Sequence, residues 1–420
     1  MPTVRVDPAT GSLVVAGRKL FPIGLSNPPP SDRRAPSGKN GLAEVAAAGV
    51  NLIRTGTTAW NAELTPGLIA AERKKLDAAA AQGLLCWLWL GDLTNLPPQA
   101  GSETEKLLAL VVNGLEGHAA LGVWKGVDEP RNPFRGDKWI RPAGLVRGYK
   151  RMKQLDPNHP VVIVQAPGST VAQLSPYRPA LDITGADVYP VSYPPGVHAG
   201  TRNKGISVVG DLTRTMASAA GSKPIWMTLQ IAWSGVTPTK QRPGLVPRFP
   251  THHELRFMAY QAIVNGARGL VFFGGHLTQI ATPADAKSGW NWSFWSRALK
   301  PLVEELTSAD VHPALVAPEA KAVKPGMRDL EVATRQDGRT LYVIAVRRGG
   351  TTSTVGFTGL PTRHDGRSLT HGEVLSEHVQ HPLPPPIVAG HQVLRTVAVS
   401  GGGFRDWFGP YDARVYRFEL

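Results

Sequence analysis

Two adjacent carboxylates, Asp128 and Glu129, follow a short apolar run in the segment VWKGVDEPRNP, residues 123–133. Aspartate and glutamate are rarely buried without a partner, yet a strand-like segment leads directly to both of them. Pro130 then ends the segment, because proline cannot donate a hydrogen bond to a sheet ladder. Two acids at the end of an inner strand are suited to proton transfer between a protein and its substrate.

Similar apolar runs recur along the first two thirds of the chain. They cover residues 20–26, 49–56, 83–92, 122–129, 160–167, 181–190, 223–230 and 266–275. Their spacing, about 25 to 45 residues, suits repeated units of one strand and one crossover helix. Helix signals lie between the runs; for example, Thr251 and Glu254 have the spacing of a capping box before a helix that ends at Gly266.

Strands that are apolar on both faces and alternate with helices predict a closed parallel (β/α)8 TIM barrel. The rival fold, a doubly wound open sheet, normally has a glycine-rich phosphate loop after its first strand, and GLSNPPPS at 24–31 lacks that pattern. After about residue 310 the pattern changes to short alternating strands, with a hairpin turn at Asp337-Gly338. We therefore expect a barrel with a short N-terminal β segment over 1–309 and an antiparallel β-sandwich over 310–420.

In a barrel of this kind, the side chains at the carboxyl ends of the strands surround the functional site. A purely structural barrel has no reason to gather polar and charged groups there. The residues at the predicted strand ends are Ser26, Asn27, Arg54, Asp92, Asp128, Glu129, Gln165, Asp187, Tyr189, Gln230 and His276. We predict that they meet around one cavity.

Tryptophans near the predicted barrel mouth indicate a sugar site, because the C–H faces of sugar rings stack on indole. Trp233 follows the seventh run, and the loop KSGWNWSFWS after the eighth run contains Trp290, Trp292 and Trp295. The alternative is that these rings pack the barrel against the sandwich. His276, after FFGG, is either a hydrogen-bonding partner for a sugar hydroxyl or a structural residue.

Taken in order, these motifs resemble those of the large clan of (β/α)8 glycoside hydrolases that includes cellulase-like and β-galactosidase-like enzymes. Arg54 in NLIRTG resembles the second-strand arginine of the clan, and DEP at 128–130 resembles its fourth-strand Asn-Glu-Pro, whose glutamate is the general acid/base. Tyr189 resembles the sixth-strand tyrosine, and KPIWMTLQIAW at 223–233 resembles the segment that ends in the nucleophilic glutamate. The resemblance implies a glycosidase that uses Glu129 as its acid and needs no cofactor.

Two positions depart from the clan: Gln230 stands where the nucleophilic glutamate is expected, and Asp128 replaces the asparagine. An amide is neither an anionic nucleophile nor a base, so a double-displacement mechanism does not carry over intact. Three alternatives stay open. The first is an inverting hydrolase with Glu129 as acid and Asp187, or else Asp92, as base at a separation of about 6.5–9.5 Å. The second is a retaining enzyme whose nucleophile was lost by engineering or drift, and the third is a barrel that binds a glycan without cleaving it.

The chain is strongly basic, with a formal net charge of +14 and a pI of about 10.0. Between Arg131 and Lys153 there are eight Lys/Arg residues and one acid, Asp137. Such a surface attracts acidic polysaccharides or nucleic acid, unless it is simply a solvated helix face. No helix-turn-helix, zinc-finger or RNA-binding aromatic pattern accompanies the charge, which disfavours nucleic acid. We expect a carbohydrate substrate, with an acidic one among the options, and the oligomeric state stays open.

Other chemistries find little support in the sequence. The single cysteine, Cys86 in LLCWLWL, excludes an internal disulfide and reads as a buried apolar residue. There is no H-E-x-x-H or G-x-S-x-G motif, which disfavours a zinc site of that type and a serine hydrolase. No apolar run reaches the length of about 18 residues that spans a membrane, and MPTVRVDPATG is not a signal region. The chain therefore either stays inside the cell or has lost a leader.

Overall fold

A closed barrel of eight parallel strands forms the larger part of the protein, as predicted. The computed structural model describes residues 3–57, 60–132, 139–191, 201–231, 240, 243–244, 248–274, 282–364, 367–380 and 392–420. The barrel strands are β4 (Ile23–Leu25), β5 (Leu52–Gly56), β6 (Leu85–Trp89), β7 (Leu121–Asp128), β8 (Val161–Gln165), β9 (Ile183–Val188), β10 (Ile225–Gln230) and β11 (Ala267–Phe273). Each strand pairs with the next, and β11 pairs with β4 to close the ring.

Helices surround the barrel and join its strands. They are α1 (Gly41–Ala47), α2 (Thr65–Ala80), α3 (Glu103–Leu115), α4 (Pro142–Leu155), α5 (Val171–Leu174), α6 (Val208–Ala220), α7 (His252–Val264), α8 (Pro283–Ser288), α9 (Trp292–Phe294), α10 (Lys300–Thr307) and α11 (His312–Val316). The predicted capping box at Thr251 and Glu254 is confirmed at the start of α7. Glu254 also forms an ion pair of 2.7 Å with Arg248, so its role is structural. No described helix has both the length and the apolarity needed to cross a membrane.

A small N-terminal sheet packs against the amino end of the barrel. Its strands are β1 (Val4–Val6), β2 (Leu13–Val15) and β3 (Arg18–Leu20). Val4 and Leu13 are buried in one apolar cluster with inward-facing barrel residues such as Val123 and Trp226. This packing covers the amino end, so the carboxyl end is the face left to form a site.

An antiparallel sheet of eight strands follows the barrel, which confirms the predicted C-terminal β domain. Its spatial order is β12 (Lys324–Pro325), β15 (Ser353–Thr358), β20 (Gly403–Phe408), β19 (Gln392–Ser400), β18 (His371–Gln380), β21 (Ala413–Glu419), β14 (Thr340–Arg347) and β13 (Leu330–Asp337). In a flat sheet β20 and β21 would lie about 14 Å apart, three strand spacings. Instead, the rings of Phe404 on β20 and Tyr416 on β21 are 4.9 Å apart, so the sheet folds over itself around one apolar core.

The hairpin predicted at Asp337-Gly338 joins β13 to β14. The short strands β16 (Arg363–His364) and β17 (Arg367–Ser368) pair with each other.

A buried arginine fixes this domain to the barrel. Arg335 on β13 is 1% exposed, and its guanidinium donates to the backbone oxygens of Ala314 (3.0 Å) and Leu315 (2.6 Å) in α11. A third bond of 3.4 Å reaches the Ile263 oxygen near the end of α7. Carbonyls at helix ends lack partners inside the helix and carry partial negative charge, so they can hold a buried cation. Burial nevertheless lowers the pKa of Arg335 to about 9.

The interior of the barrel is packed tightly between β9 and β10. Gly185 on β9 lies so close to the backbone of β10 that an added Cβ would overlap the carbonyl oxygen of Trp226. Only glycine fits where two backbones approach this closely. This contact belongs to the part of the barrel that positions Asp187, two residues further along β9.

We expect Gly185→Ala to lower the free energy of unfolding by at least about 2 kcal/mol, because the methyl group forces β9 and β10 apart. Gly67→Ala in the exposed first turn of α2 is the matched control, since nothing lies within 4 Å of the added Cβ. The control should stabilise by about 0.5 kcal/mol through helix propensity. Urea unfolding followed by tryptophan fluorescence measures both changes, and equal effects would refute the packing argument.

Candidate active site

Three barrel strands, β5, β7 and β9, bring charged side chains to the carboxyl end of the barrel. Arg54 lies on β5, Asp128 ends β7 and Asp187 lies on β9, while Glu129 and Tyr189 follow β7 and β9 directly. Arg54 interacts electrostatically with Asp128 and Asp187, and Asp187 interacts with Asp128 and Glu129. The fold therefore brings these five predicted side chains around one volume at the barrel mouth.

An irregularity in β7 sets the direction of its charged side chains. Lys125 is opposite Val162 of β8 and Asp128 is opposite Val164, so three steps along β7 match two along β8. In a regular strand, residues three apart point to opposite faces. The extra residue of this bulge allows Lys125 and Asp128 to meet, with Nζ 2.6 Å from Oδ1.

Lys125 is a buried cation that the sequence analysis did not select. It is 3% exposed, and its Nζ lies 5.0 Å from the ring centre of Trp87 and 4.6 Å from that of Trp89. Indole faces attract a cation, and a buried ammonium group needs a paired carboxylate, here Asp128. A lone lysine inside an apolar strand was the available signal, but its direction depends on the bulge.

Glu129 occupies a strained backbone position. Its φ of 47° lies in the left-handed region, which is uncommon for a residue other than glycine. Such strain typically amounts to about 1–3 kcal/mol and clusters at functional sites. The Glu129 N–H donates to the Val164 oxygen (2.9 Å), and the Asn132 amide donates to Glu129 Oε2 (2.5 Å). These bonds hold the carboxyl group just beyond β7.

Burial and the neighbouring charges together set the protonation of Asp187. Burial raises its pKa well above the ordinary value, and the negative charges of Asp128 and Glu129 raise it further. The Tyr189 hydroxyl, which donates to Asp187 Oδ2 at 2.5 Å, and the charge of Lys125 act in the opposite direction. Burial also raises the pKa of Tyr189, so the phenol keeps its proton. The arrangement therefore favours a protonated carboxyl group at Asp187.

Gln230 lies at the end of β10, fully buried, and its side chain is occupied by the backbone. Its Oε1 accepts from the Val191 N–H (2.7 Å), and its Nε2 donates to the Val191 oxygen (2.9 Å). This pair fixes the chain just after β9 and leaves no side-chain oxygen of Gln230 directed at a substrate. Gln165, at the end of β8, faces the helices, where it lines a small cavity with Leu174 and Met216.

The other predicted site residues are placed differently. Asp92 is exposed in the 3-10 helix after β6, and it is not among the charges that act on Asp187. Trp292 is 4% exposed, so little of its indole face is available for stacking. Trp290 is also buried, but it lines a cavity of about 430 Å³ that Arg54 also lines. Trp233 and His276 lie outside the described residues, and their predicted roles stay predictions.

Metal and thiol chemistry find no support in the part of the chain that the structure describes. No group of three or more His, Cys, Asp or Glu residues there could hold a metal ion. Cys86 is fully buried in β6, and burial raises the pKa of its thiol. The arrangement at the mouth is instead suited to proton transfer between carboxyl groups and a bound substrate.

We expect Gln230→Glu to destabilise the protein by at least about 2 kcal/mol, because a buried carboxylate would face the Val191 carbonyl and lose one donor. Chemical denaturation measures the loss, and turnover of any substrate found should not rise. If Gln230 only fills the place of a lost nucleophile, this variant should instead gain activity with little loss of stability.

Comparison with solved structures finds the same architecture over almost the whole chain. A structure described as a glycoside hydrolase matches with a TM-score of 0.60 at 12% identity, over 99% of this chain and 96% of that one. A glycoside hydrolase family 5 protein from Bacteroides vulgatus ATCC 8482 matches at 0.57 and 11%, over 99% and 93% of the chains. A GH30 endoxylanase from Clostridium papyrosolvens C71 matches at 0.50 and 12%, over 100% of both. No family model and no curated protein matches the sequence. At sequence identities of 11–12%, this similarity shows that the fold is shared.

Proposed function

We propose that this protein hydrolyses glycosidic bonds, with the carboxyl groups of Glu129 and Asp187 as its acid/base pair. The observation that carries the proposal is the pairing of these groups at one barrel mouth, where the charge of Glu129 raises the pKa of Asp187. Two carboxyl groups with different protonation are what glycoside hydrolysis needs. The similarity in fold to solved glycoside hydrolases supports the same conclusion.

The protonation pattern favours Asp187 as the proton donor, the reverse of the role expected from the sequence. Its Oδ2 accepts from Tyr189, while its buried Oδ1 has no hydrogen-bond partner among the described residues. A proton on Oδ1 would therefore be available to the glycosidic oxygen that leaves. The raised pKa favours the form in which Asp187 carries that proton.

Glu129 is then the ionised partner. The amide of Asn132 donates to its Oε2, and a hydrogen bond of this kind favours the carboxylate form. In the inverting reaction, Glu129 takes a proton from water, whose oxygen bonds to the anomeric carbon. The bond between that carbon and the leaving oxygen breaks as Asp187 donates its proton to the leaving oxygen.

The amide at Gln230 favours a second candidate function, a barrel that binds a glycan without cleaving it. Both candidates predict glycan binding, so turnover separates them. A panel of polysaccharides and aryl glycosides, with NMR of the fresh product, tests turnover and the anomer formed. Binding without any product would favour the second candidate, and a retained anomer would exclude the inverting route.

We expect the two carboxyl variants to respond differently to the leaving group. Asp187→Asn should lose about 100- to 10,000-fold in turnover of ordinary glycosides but little with dinitrophenyl glycosides, whose leaving group needs no protonation. Glu129→Gln should lose activity on both substrate types. Steady-state kinetics on matched alkyl and dinitrophenyl glycosides measures the difference.

The exposed Asp92 provides the control for this comparison, and Asp92→Asn should behave like the unmodified protein on both substrates. The opposite pattern, with dinitrophenyl glycosides rescuing Glu129→Gln, would return the acid role to Glu129. Equal activity of all three variants would remove Glu129 and Asp187 as the acid/base pair.

We expect Asp128→Asn to move the alkaline limb of the kcat/KM profile to lower pH by at least about 0.5 unit. The active form needs protonated Asp187, so activity falls as pH rises through the pKa of Asp187. Removing the Asp128 charge removes one cause of the raised pKa, so that fall should begin earlier. Asp92→Asn should leave the limb in place, and a shift to higher pH in Asp128→Asn would contradict the assignment.

A further inference from the structure

Arg54 is a charged group at the barrel mouth that takes no part in the proposed catalytic pair. It has no hydrogen-bonded partner among the described residues. Within the described chain its guanidinium makes no hydrogen bond or ion pair, and its Cζ lies 5.2 Å from the ring centre of Trp89. A guanidinium has five N–H donors, and burying them without acceptors is unfavourable. The side chain is half-buried, and burial lowers the pKa of Arg54 while the charges of Asp128 and Asp187 raise it. An acceptor from a ligand would satisfy the unused donors.

The cavity of about 430 Å³ beside Arg54 has a size typical of small-molecule sites. It lies between the carboxyl ends of β4 and β5, where Ser26 and Asn27 form part of its wall. Oδ1 of Asn27, which lines the cavity, is buried and has no hydrogen-bond partner among the described residues. A sugar hydroxyl group could bond to this oxygen.

The carboxylates near Arg54 have hydrogen-bonding or ion-pair partners of their own. Asp128 is paired with Lys125 and Glu129 is bound by Asn132, so neither carboxylate is hydrogen-bonded to Arg54 in the described part of the chain. Two other charged residues line the cavity. Lys75 is 3.2 Å from Glu72, and Asp32 is exposed to water at the rim, where its charge is screened.

We infer that Arg54 binds an anionic group, a carboxylate or a sulfate, on a sugar residue seated in this cavity. The inference rests on the proposed function and makes the substrate an acidic polysaccharide. A guanidinium can bind either anion through two parallel N–H bonds. The net charge of +14 would also attract such a polymer to the protein.

The test compares binding of acidic oligosaccharides with that of neutral partners that have the same sugar backbone. Calorimetry on the full chain would use oligouronates of several backbones with their carboxyl-reduced forms, and sulfated oligosaccharides with their desulfated forms. At least one acidic member should bind about 10- to 100-fold more tightly than its neutral partner. A preference in the carboxyl pairs identifies a uronate, and one in the sulfate pairs identifies a sulfated sugar.

Arg54→Met should remove this preference, and Arg54→Lys should restore part of it, because lysine supplies charge without the two-bond geometry. Lys106→Met, which removes an exposed charge of α3 outside the lining of this cavity, is the matched control and should keep the full preference. Unfolding curves for each variant show whether the barrel is intact.

The inference is overturned if no acidic member binds better than its neutral partner, or if Arg54→Met keeps the full preference. Cleavage of neutral glycans without an acidic preference would remove the inference and leave the proposed hydrolysis intact. An Arg54-dependent preference without any cleavage would support the inference and remove the hydrolysis.

Discussion

The ion pair between Lys125 and Asp128 is the contact on which the charge balance of the barrel mouth depends. Like-charged carboxyl groups cannot all stay ionised in a water-poor space unless a cation lies among them. Lys125 supplies that cation 2.6 Å from Asp128, enclosed by the rings of Trp87 and Trp89. The bulge in β7 makes the contact geometrically feasible, because it turns both side chains inward. A local change in strand register thus determines which charges the site contains.

With one cation among three carboxyl groups, one of these groups is expected to be protonated. Burial determines which one. Lys125 compensates Asp128, and the Asn132 amide supports an ionised Glu129. Burial and the charges of Asp128 and Glu129 favour the neutral form of Asp187. Proximity to Glu129 therefore serves the proposed chemistry in two ways: it supplies a base and it keeps the acid protonated.

Much of this arrangement follows from local sequence signals. Each barrel strand is an apolar run of its own, and features such as the Thr251 capping box mark the helices between them. Once the barrel is predicted, Arg54, Glu129 and Asp187 must share one end, because parallel strands finish on the same side. The inward direction of Lys125 could not be predicted, since it depends on the register between β7 and β8. The partner of Gln230 is a backbone group beyond β9, which no motif encodes.

Because the side chain at the end of β10 is an amide, the negative charge around the barrel mouth is unevenly distributed. A glutamate there, as the resemblance to the glycoside hydrolase clan implies, would add a carboxylate to the site. Gln230 adds none, and its two bonds to Val191 hold the chain after β9, close to Asp187 and Tyr189. The acidic groups are thereby concentrated on β7 and β9, where Lys125 neutralises one of them. Arg54 on β5 is left with unused donors beside a cavity, which is the basis of the inferred anion site.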